Sequence, residues 1–269
     1  MTKIGTLSAA HAGDMNSPAG KRDAKIVCVA SGKGGVGKTW LAITLTHSLA
    51  RRGRRTLLFD GDLGLANVDV QLGLTPDRDL GSVVAGQLRL SDVVLSFAGG
   101  GFDVIAGRSG SGSLASLEAK RLTGLRADLI DLAQRYDHVV LDLGAGVDGP
   151  VQALAGAAST VLVVTTDEPT ALTDAYAFIK LSALHKRETD FRVAVNMAAS
   201  ARDGERTFAK LLRACEGFLK LSPKLAGIIR RDDKVRDSIR HQTLLLARHP
   251  TSSAAADVET LTARLALDG

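Results

Sequence analysis

Cysteine, proline and aromatic residues are scarce in this chain of 269 residues, which has 2 Cys, 6 Pro and 4% aromatics. Two cysteines are too few for a disulfide framework or an all-cysteine metal site, and they are typical of a reducing compartment. No apolar run reaches the roughly 18–20 residues that a membrane-spanning helix needs. The N-terminal region also lacks the long apolar block of a secretory signal. We therefore expect a cytoplasmic protein.

The charge balance is only mildly basic. There are 34 Lys and Arg against 29 Asp and Glu, which gives a formal net charge of +5. Such an excess favours an anionic partner but does not choose among nucleotide, nucleic acid and an acidic membrane surface. The hydrophobic content of 45% is ample for a large core.

The pattern of the chain changes at Lys25. Residues 1–24 are rich in Ala, Gly, Ser and Asp without periodicity and predict a flexible leader, whereas residues 25–269 predict one domain. Nearly continuous apolar runs in this domain predict the strands of a parallel sheet buried on both faces. These runs are Ile26–Ala30, Thr56–Asp60, Phe102–Ile105, His138–Asp142, Val161–Thr165, Phe191–Val195 and, more weakly, Leu225–Ile229.

Helical patterns separate the predicted strands. Leu41, Leu45 and Leu49 recur every four residues and predict one face of a helix after the first strand. Comparable patterns cover residues 118–135, 170–186, 205–220 and 253–267. The sequence therefore predicts an α/β protein with a single doubly wound, mainly parallel sheet and helices on both faces.

A glycine-rich segment joins the first predicted strand to this helix. Glycines allow positive φ and close approach of backbone N–H groups to phosphate oxygens, and the helix N-terminus adds its dipole. A lysine at the end of such a loop neutralises the β- and γ-phosphates, and the next hydroxyl binds Mg²⁺. The segment predicts the nucleotide-binding loop of a P-loop NTPase. Its residues are Gly32, Lys33, Gly34, Gly35, Val36, Gly37, Lys38 and Thr39.

Three carboxylates follow predicted strands. Asp60 and Asp62 come at the end of the second strand, and Asp142 ends the fourth. The carboxyl ends of strands face the ligand crevice of an open α/β sheet. Asp142 thus stands where a P-loop protein places the acid that holds Mg²⁺, typically through water.

Lys33 is a second lysine that the basic phosphate-loop motif does not require. With it, the loop resembles the deviant Walker A motif, Lys-Gly-Gly-x-Gly-Lys-Thr, of the MinD/ParA ATPases. This resemblance implies ATP as the nucleotide, a homodimer formed with ATP, and a Lys33 side chain that reaches the nucleotide of the partner. It also implies that Asp62 orients the attacking water and that Asp60 supports the Mg²⁺ shell.

The resemblance thus implies two sets of residues. The catalytic residues are Asp62, Lys33 and Lys38, and the metal residues are Thr39, Asp60 and Asp142. Asn196, at the end of the sixth predicted strand, would bind the adenine edge by the same resemblance. The alternative is an asparagine that bonds its own turn. Gly144 and Gly146, just after Asp142, are predicted to let this segment move as a switch near the γ-phosphate.

Three further strings resemble the flagellar-number regulators of the FlhG/FleN type. They span residues 62–69, 168–176 and 195–197. This resemblance implies a slow, partner-stimulated ATPase that cycles between an ADP monomer and an ATP dimer and controls flagellar number or placement. The partners that it implies are an FlhF-type GTPase and flagellar regulatory or switch proteins. It also implies peripheral contact with the inner face of the cell membrane.

The chain departs from these families in three places. Residue 40 is Trp where a second threonine is common, and an indole cannot replace a hydroxyl near the α-phosphate. Residues 1–24 contain no Asp-Gln-Ala-x-x-Leu-Arg motif, which many members use for a flagellar partner. Residues 257–267 carry the apolar stripe Val258, Leu261 and Leu265, but they have no Phe or Trp and one Arg. A helix packed on the domain is therefore as good an interpretation as a membrane-surface helix.

The alternative function is that of a ParA- or MinD-like partition or division-site positioning ATPase, which acts on DNA or membrane. Nucleic acid is the less favoured partner, because acids interrupt the arginines of residues 230–240 and indicate local ion pairing. Among metabolic enzymes, an electron carrier needs cysteines that bind an iron–sulfur cluster. Cys28 in a strand and Cys215 in a helix are better explained by packing.

Overall fold

The computed structural model describes residues 25–62, 64–107, 119–186 and 188–267. The predicted leader, residues 1–24, therefore lies outside the described residues. The strands, numbered in chain order, are β1 Lys25–Ser31, β2 Thr56–Gly61, β3 Leu95–Phe97, β4 Phe102–Ile105, β5 His138–Ala145, β6 Thr160–Thr165, β7 Asp190–Ala198 and β8 Lys224–Arg230.

These strands form one sheet of eight, in the order β3-β4-β2-β5-β1-β6-β7-β8. All neighbouring strands are parallel except β3 and β4, which form an antiparallel pair at one edge. The seven predicted strands are present. The edge strand β3 was not predicted, because its three partly exposed residues are too few to show a periodic pattern.

The helices, numbered in the same way, connect the strands. They are α1 Lys38–Arg51, α2 Val68–Leu72, α3 Leu80–Val84, α4 Ala119–Ala133, α5 Gly149–Ala155, α6 Pro169–His185, α7 Ala201–Ala214, α8 Asp233–Arg240, α9 Leu245–Arg248 and α10 Ser253–Leu267. The predicted helix over 205–220 instead begins at residue 201, after the N-cap Ser200, whose side chain accepts from the N–H of Asp203. Its last residues form a separate π-helical turn, Cys215–Leu219.

The sheet is buried on both faces, which confirms the predicted doubly wound class. Alternate residues of β1 enter different cores: Cys28 packs in one, with α4 to α7, and Val29 packs in the other, with α1 and α10. Both free cysteines are buried, as expected for packing residues. Burial raises the pKa of the Cys28 thiol far above its ordinary value.

The C-terminal helix α10 uses its apolar stripe inside the domain. Val258 and Leu261 are fully buried, and Leu265 is nearly so. Arg52, the residue after α1, also donates to the Glu259 carboxylate at 2.9 Å. This arrangement agrees with the packed-helix interpretation of residues 257–267. Among the described residues, no helix is long and apolar enough to cross a membrane.

Candidate nucleotide site

The glycine-rich loop lies between β1 and α1, at the carboxyl edge of the sheet. Its last glycine, Gly37, has φ 88° and precedes the first residue of α1. A Cβ at this position would lie 2.4 Å from the Asn196 Nδ2 atom, so both the backbone angle and the space require glycine. A Cβ at Gly32 would lie 2.1 Å from the Asp174 carbonyl oxygen. The loop is therefore held closely against α6 and the end of β7.

A cavity of about 860 Å³ opens over this loop. That volume is within the range of sites for cofactors and other small molecules. Of the residues predicted to bind nucleotide, those that line the cavity are Gly34, Gly35, Gly37, Lys38, Thr39 and Asn196. Asp62 lines it as well. The far wall is formed by the segment after β8 and by α8, including Arg231, Val235, Arg236 and Ile239.

Three of the predicted binding residues do not line the cavity. The Val36 side chain is buried in the core, where its carbonyl accepts from Asn196. Gly32 packs against Asp174, and Lys33 points its ammonium group at α6. The structure therefore divides the loop into a part that faces the cavity and a part that supports or flanks it.

Lys38 lies on the cavity floor and is only 8% exposed. Burial lowers the pKa of its ammonium group, while the neighbouring charges of Asp142 and Asp62 act in the opposite direction. A buried cation at the start of a helix is the arrangement that binds phosphate oxygens in P-loop proteins.

Asp142 lies behind this lysine, opposite Asp60 in the register of β2 and β5. Burial, together with the charge of Asp60, raises the pKa of the Asp142 carboxyl to about 8, while a hydrogen bond from Thr39 opposes the shift. Its buried Oδ1 atom has no hydrogen-bond partner among the described residues. A buried carboxylate oxygen without a donor, beside a hydroxyl, fits a hard divalent cation.

The residues present therefore fit Mg²⁺ of the kind that P-loop proteins bind, with few protein ligands and several from phosphate and water. A cage of three or more His, Cys, Asp or Glu side chains is absent from the described part of the chain. Thr39 and Asp142 are thus the two side chains best placed to support such an ion.

Asp60 is held by the backbone of the loop that follows β2. It is fully buried, and burial raises the pKa of its carboxyl to about 7. Its Oδ1 accepts from the N–H of Asp62, and its Oδ2 accepts from the N–H groups of Asn67 and Val68 at 3.2 and 3.1 Å. Asp60 therefore anchors both ends of the loop between β2 and α2, and its part in the Mg²⁺ shell stays a prediction.

Asp62 occupies the cavity side of the same loop. Its Oδ1 accepts from the N–H groups of Gly64 and Leu65 at 3.2 and 2.8 Å. A Cβ at Gly144 would lie 3.2 Å from the same Oδ1 atom, so glycine lets the carboxylate approach β5 closely. This close contact is a steric reason for a glycine at residue 144, in addition to the predicted switch movement.

Lys33 is paired within the chain. Its Nζ donates to the Glu168 Oε2 atom at 2.6 Å and to the Thr170 hydroxyl at 2.9 Å, at the start of α6. The hydrogen bond from Lys33, together with the charge of its ammonium group, lowers the pKa of the Glu168 carboxyl. Glu168 and Thr170 lie in residues 168–176, one of the strings that resemble flagellar-number regulators. Their contact with Lys33 was not predicted from the sequence.

Asn196 is buried and makes two hydrogen bonds. Its Nδ2 donates to the Val36 carbonyl at 2.8 Å, and its Oδ1 accepts from the N–H of Met197 at 2.9 Å. The bond to Met197 is the local turn contact considered as the alternative. The bond to Val36 ties β7 to the phosphate loop. Contact with adenine stays a prediction.

Of the arginines considered for DNA contact, Arg230 is paired within the chain, and Arg231 and Arg236 line the cavity. Arg230 forms two hydrogen bonds with the Asp257 carboxylate of α10, at 2.8 and 2.9 Å. Asp237 instead accepts from Arg248 and His249. Local ion pairing is thus observed, but the partners lie farther along the chain than the sequence analysis expected.

A parallel sheet whose first strand enters a helix through this lysine-containing loop defines a P-loop nucleotide-binding protein. The chain belongs to the family described as the CobQ/CobB/MinD/ParA nucleotide binding domain, which matches residues 27–245. It is similar to the antiactivator FleN of Pseudomonas aeruginosa, with 41% identity over 86% of this chain and 82% of that protein. The flagellum site-determining protein YlxH of Helicobacter pylori is 29% identical over 90% of this chain and 81% of its own.

Solved structures share the fold. The cell division ATPase MinD of Pyrococcus furiosus has a TM-score of 0.78 at 24% identity, over 91% of this chain and 99% of its own. The septum site-determining protein MinD of Pyrococcus horikoshii, solved with Mg-ADP, has a TM-score of 0.76 at 23% identity, over 91% and 98%. The predicted MinD/ParA membership and the resemblance to FlhG/FleN-type regulators are confirmed.

Proposed function

We propose that this protein is an ATP-hydrolysing dimerisation switch that regulates flagellar number or placement. The observation that carries the proposal is a phosphate-loop cavity with a buried lysine and carboxylates, in a chain that is 41% identical to FleN over most of its length. The Mg-ADP bound by the Pyrococcus horikoshii relative supports ATP and Mg²⁺ as its ligands.

The residues of the cavity floor would divide the chemistry among them. Lys38 and the loop N–H groups bind the β- and γ-phosphates, and Thr39 and Asp142 hold Mg²⁺, which neutralises charge on the phosphates. Asp62 accepts a hydrogen bond from the attacking water and orients it. Asp60 keeps Asp62 in place through the loop that it anchors.

The rim of the cavity would form the dimer interface. Leu65, which lines the cavity mouth, is 71% exposed, and Val147, after the cavity residue Ala145, is 38% exposed. A second copy would cover both side chains and receive Lys33 at its nucleotide. Because ATP binds the dimer more tightly than the monomer, hydrolysis would release the two copies.

The similarity to FleN and YlxH supports a part in flagellar regulation. An FlhF-type GTPase and flagellar regulatory or switch proteins are the partners that the resemblance of the sequence implies. Contact with the inner face of the membrane would have to use residues other than the stripe of α10, since Val258 and Leu261 are buried.

The experiment that tests the switch uses Asp62→Asn, which keeps an oxygen for the N–H groups of Gly64 and Leu65. Light scattering with ADP and then ATP–Mg²⁺ should give a monomer and then a stable dimer. Phosphate release should fall by about a hundredfold or more, because the carboxylate that orients the attacking water is lost. Asp77→Ala, at an exposed loop position, is the matched control. A variant that stays monomeric with ATP, or that hydrolyses ATP normally, would contradict the proposal.

A further inference from the structure

Trp40 is the only tryptophan of the chain. It lies in the first turn of α1, two residues after Lys38, and is 5% exposed. Its side chain packs in the core of this face of the sheet and also lines the nucleotide cavity. Its Nε1 atom is buried and has no hydrogen-bond partner among the described residues.

A buried N–H group without an acceptor destabilises a fold, and buried indoles usually find a partner. Side chains of a helix lean toward its N-terminus, so the indole at residue 40 leans toward the phosphate loop. The donor therefore lies in the first turn of α1, next to the phosphate loop.

The wall beyond Trp40 is suited to the rest of a nucleotide. Val235 and Ile239 of α8 line the cavity with apolar side chains, and Val235 packs on the same core as Trp40. The position of this wall is fixed at the end of α8, where Gln242 Nε2 donates to the Val70 carbonyl at 2.8 Å. Arg236, on the same helix, places a cation along the wall.

We propose that Trp40 is a nucleotide-positioning residue, whose indole N–H donates to a phosphate oxygen and whose ring, with Val235 and Ile239, packs against the nucleoside. This inference rests on the proposed nucleotide-binding function and goes beyond it. It also revises the expectation from the sequence: an indole lacks the acceptor of a threonine hydroxyl, but it supplies an equivalent donor.

The test uses the fact that a single tryptophan gives a single indole N–H signal. In a ¹H–¹⁵N correlation spectrum of the intact protein, ADP–Mg²⁺ should move this signal and slow its exchange with water. Calorimetry should show that Trp40→Phe, which keeps an aromatic ring, binds ADP about tenfold more weakly, as expected for losing a hydrogen bond to a charged group. Trp40→Thr should recover part of that loss. Phe97→Leu, on the partly exposed edge strand, is the control for a change of aromatic packing.

The outcomes separate this inference from the proposed function. If the unaltered protein binds neither ADP nor ATP by calorimetry, both fail. If it binds ADP while the indole signal stays unchanged, or if Trp40→Phe binds as tightly as the unaltered protein, only the role of Trp40 is overturned. The spectrum of the unaltered protein decides the point even where Trp40→Phe does not fold.

Discussion

The floor and the rim of the nucleotide cavity each carry a lysine of the same loop, in opposite surroundings. Lys38 on the floor is 8% exposed and lies among the acids Asp62 and Asp142. The side chain of Lys33 at the rim is 37% exposed and pairs with Glu168, whose side chain is 62% exposed. The floor is thus assembled within one chain, because its charges are buried and oriented by the sheet. The rim holds its charge in an exposed pair that a second copy can replace at little cost.

The largest expected effect is on the floor. Lys38→Ala should weaken ADP binding by about a hundredfold, because it removes a charge-assisted hydrogen bond of about 1.5–3 kcal/mol to the β-phosphate, and it should weaken ATP binding by about a thousandfold, because the contact with the γ-phosphate is lost as well. Calorimetry on the monomer with ADP–Mg²⁺ measures this loss. Lys186→Ala, which removes a lysine outside the cavity, should bind normally. Binding of ADP by Lys38→Ala within about tenfold of the unaltered protein would show that the floor does not bind the phosphates.

The second effect distinguishes the role of the rim in the dimer from the role of the floor in nucleotide binding. Lys33→Ala should leave ADP binding by the monomer within about twofold, yet weaken the ATP-dependent dimer by about a hundredfold, since each dimer loses two charge-assisted contacts. Sedimentation with ATP–Mg²⁺ measures the dimer, in the presence of Asp62→Asn to prevent turnover. An unchanged dimer affinity would mean that Lys33 contacts only its own chain and not the nucleotide of the partner.

A third effect concerns the far half of α1, behind the floor. His47 is 6% exposed, and its buried Nδ1 has no hydrogen-bond partner among the described residues. Burial, helped by the charge of Arg51 and opposed by Glu259, lowers the pKa of His47 to about 4 from 6.5. The folded protein therefore favours the neutral imidazole. The contribution of His47 to the free energy of unfolding is complete above pH 6.5 and is lost as the pH falls toward 4.

At pH 5 this group alone should lower the free energy of unfolding by about 2 kcal/mol relative to pH 7.5. Urea unfolding at the two pH values measures the difference in the unaltered protein. His47→Gln removes the titrating group and should reduce the difference by that amount. An equal pH dependence in both proteins would assign the acid sensitivity to other groups.

The floor was largely predictable from the sequence, and the rim was not. Buried strands appear in the sequence as continuous apolar runs, and the positions of Lys38, Asp62 and Asp142 follow from the strands that precede or contain them. The contact of Lys33 with Glu168 joins residues 135 positions apart in the chain, and nothing in the local pattern specifies it.

The other features of the site that were not predicted have the same origin. The wall formed by α8 comes from a short helix with a mainly polar sequence, which was interpreted through its charged residues alone. The three backbone donors to Asp60 were not predicted, because they come from a loop whose path a sequence pattern does not give. Contacts between loops, together with short elements such as β3 and α8, are what the sequence patterns did not predict.

The smallest expected effect tests whether the Lys33–Glu168 pair restrains the rim. If Lys33 must leave Glu168 to reach a partner, Glu168→Gln should strengthen the ATP-dependent dimer by about two- to fivefold, the range expected for an exposed ion pair. The gain should shrink as salt is added, because screening already weakens the pair in the unaltered protein. Glu205→Gln, at an exposed position of α7, is the matched control for the loss of one negative charge.

A weaker dimer in Glu168→Gln would reverse the interpretation. Glu168 would then hold Lys33 in the orientation that the partner receives, and the rim would be as preorganised as the floor.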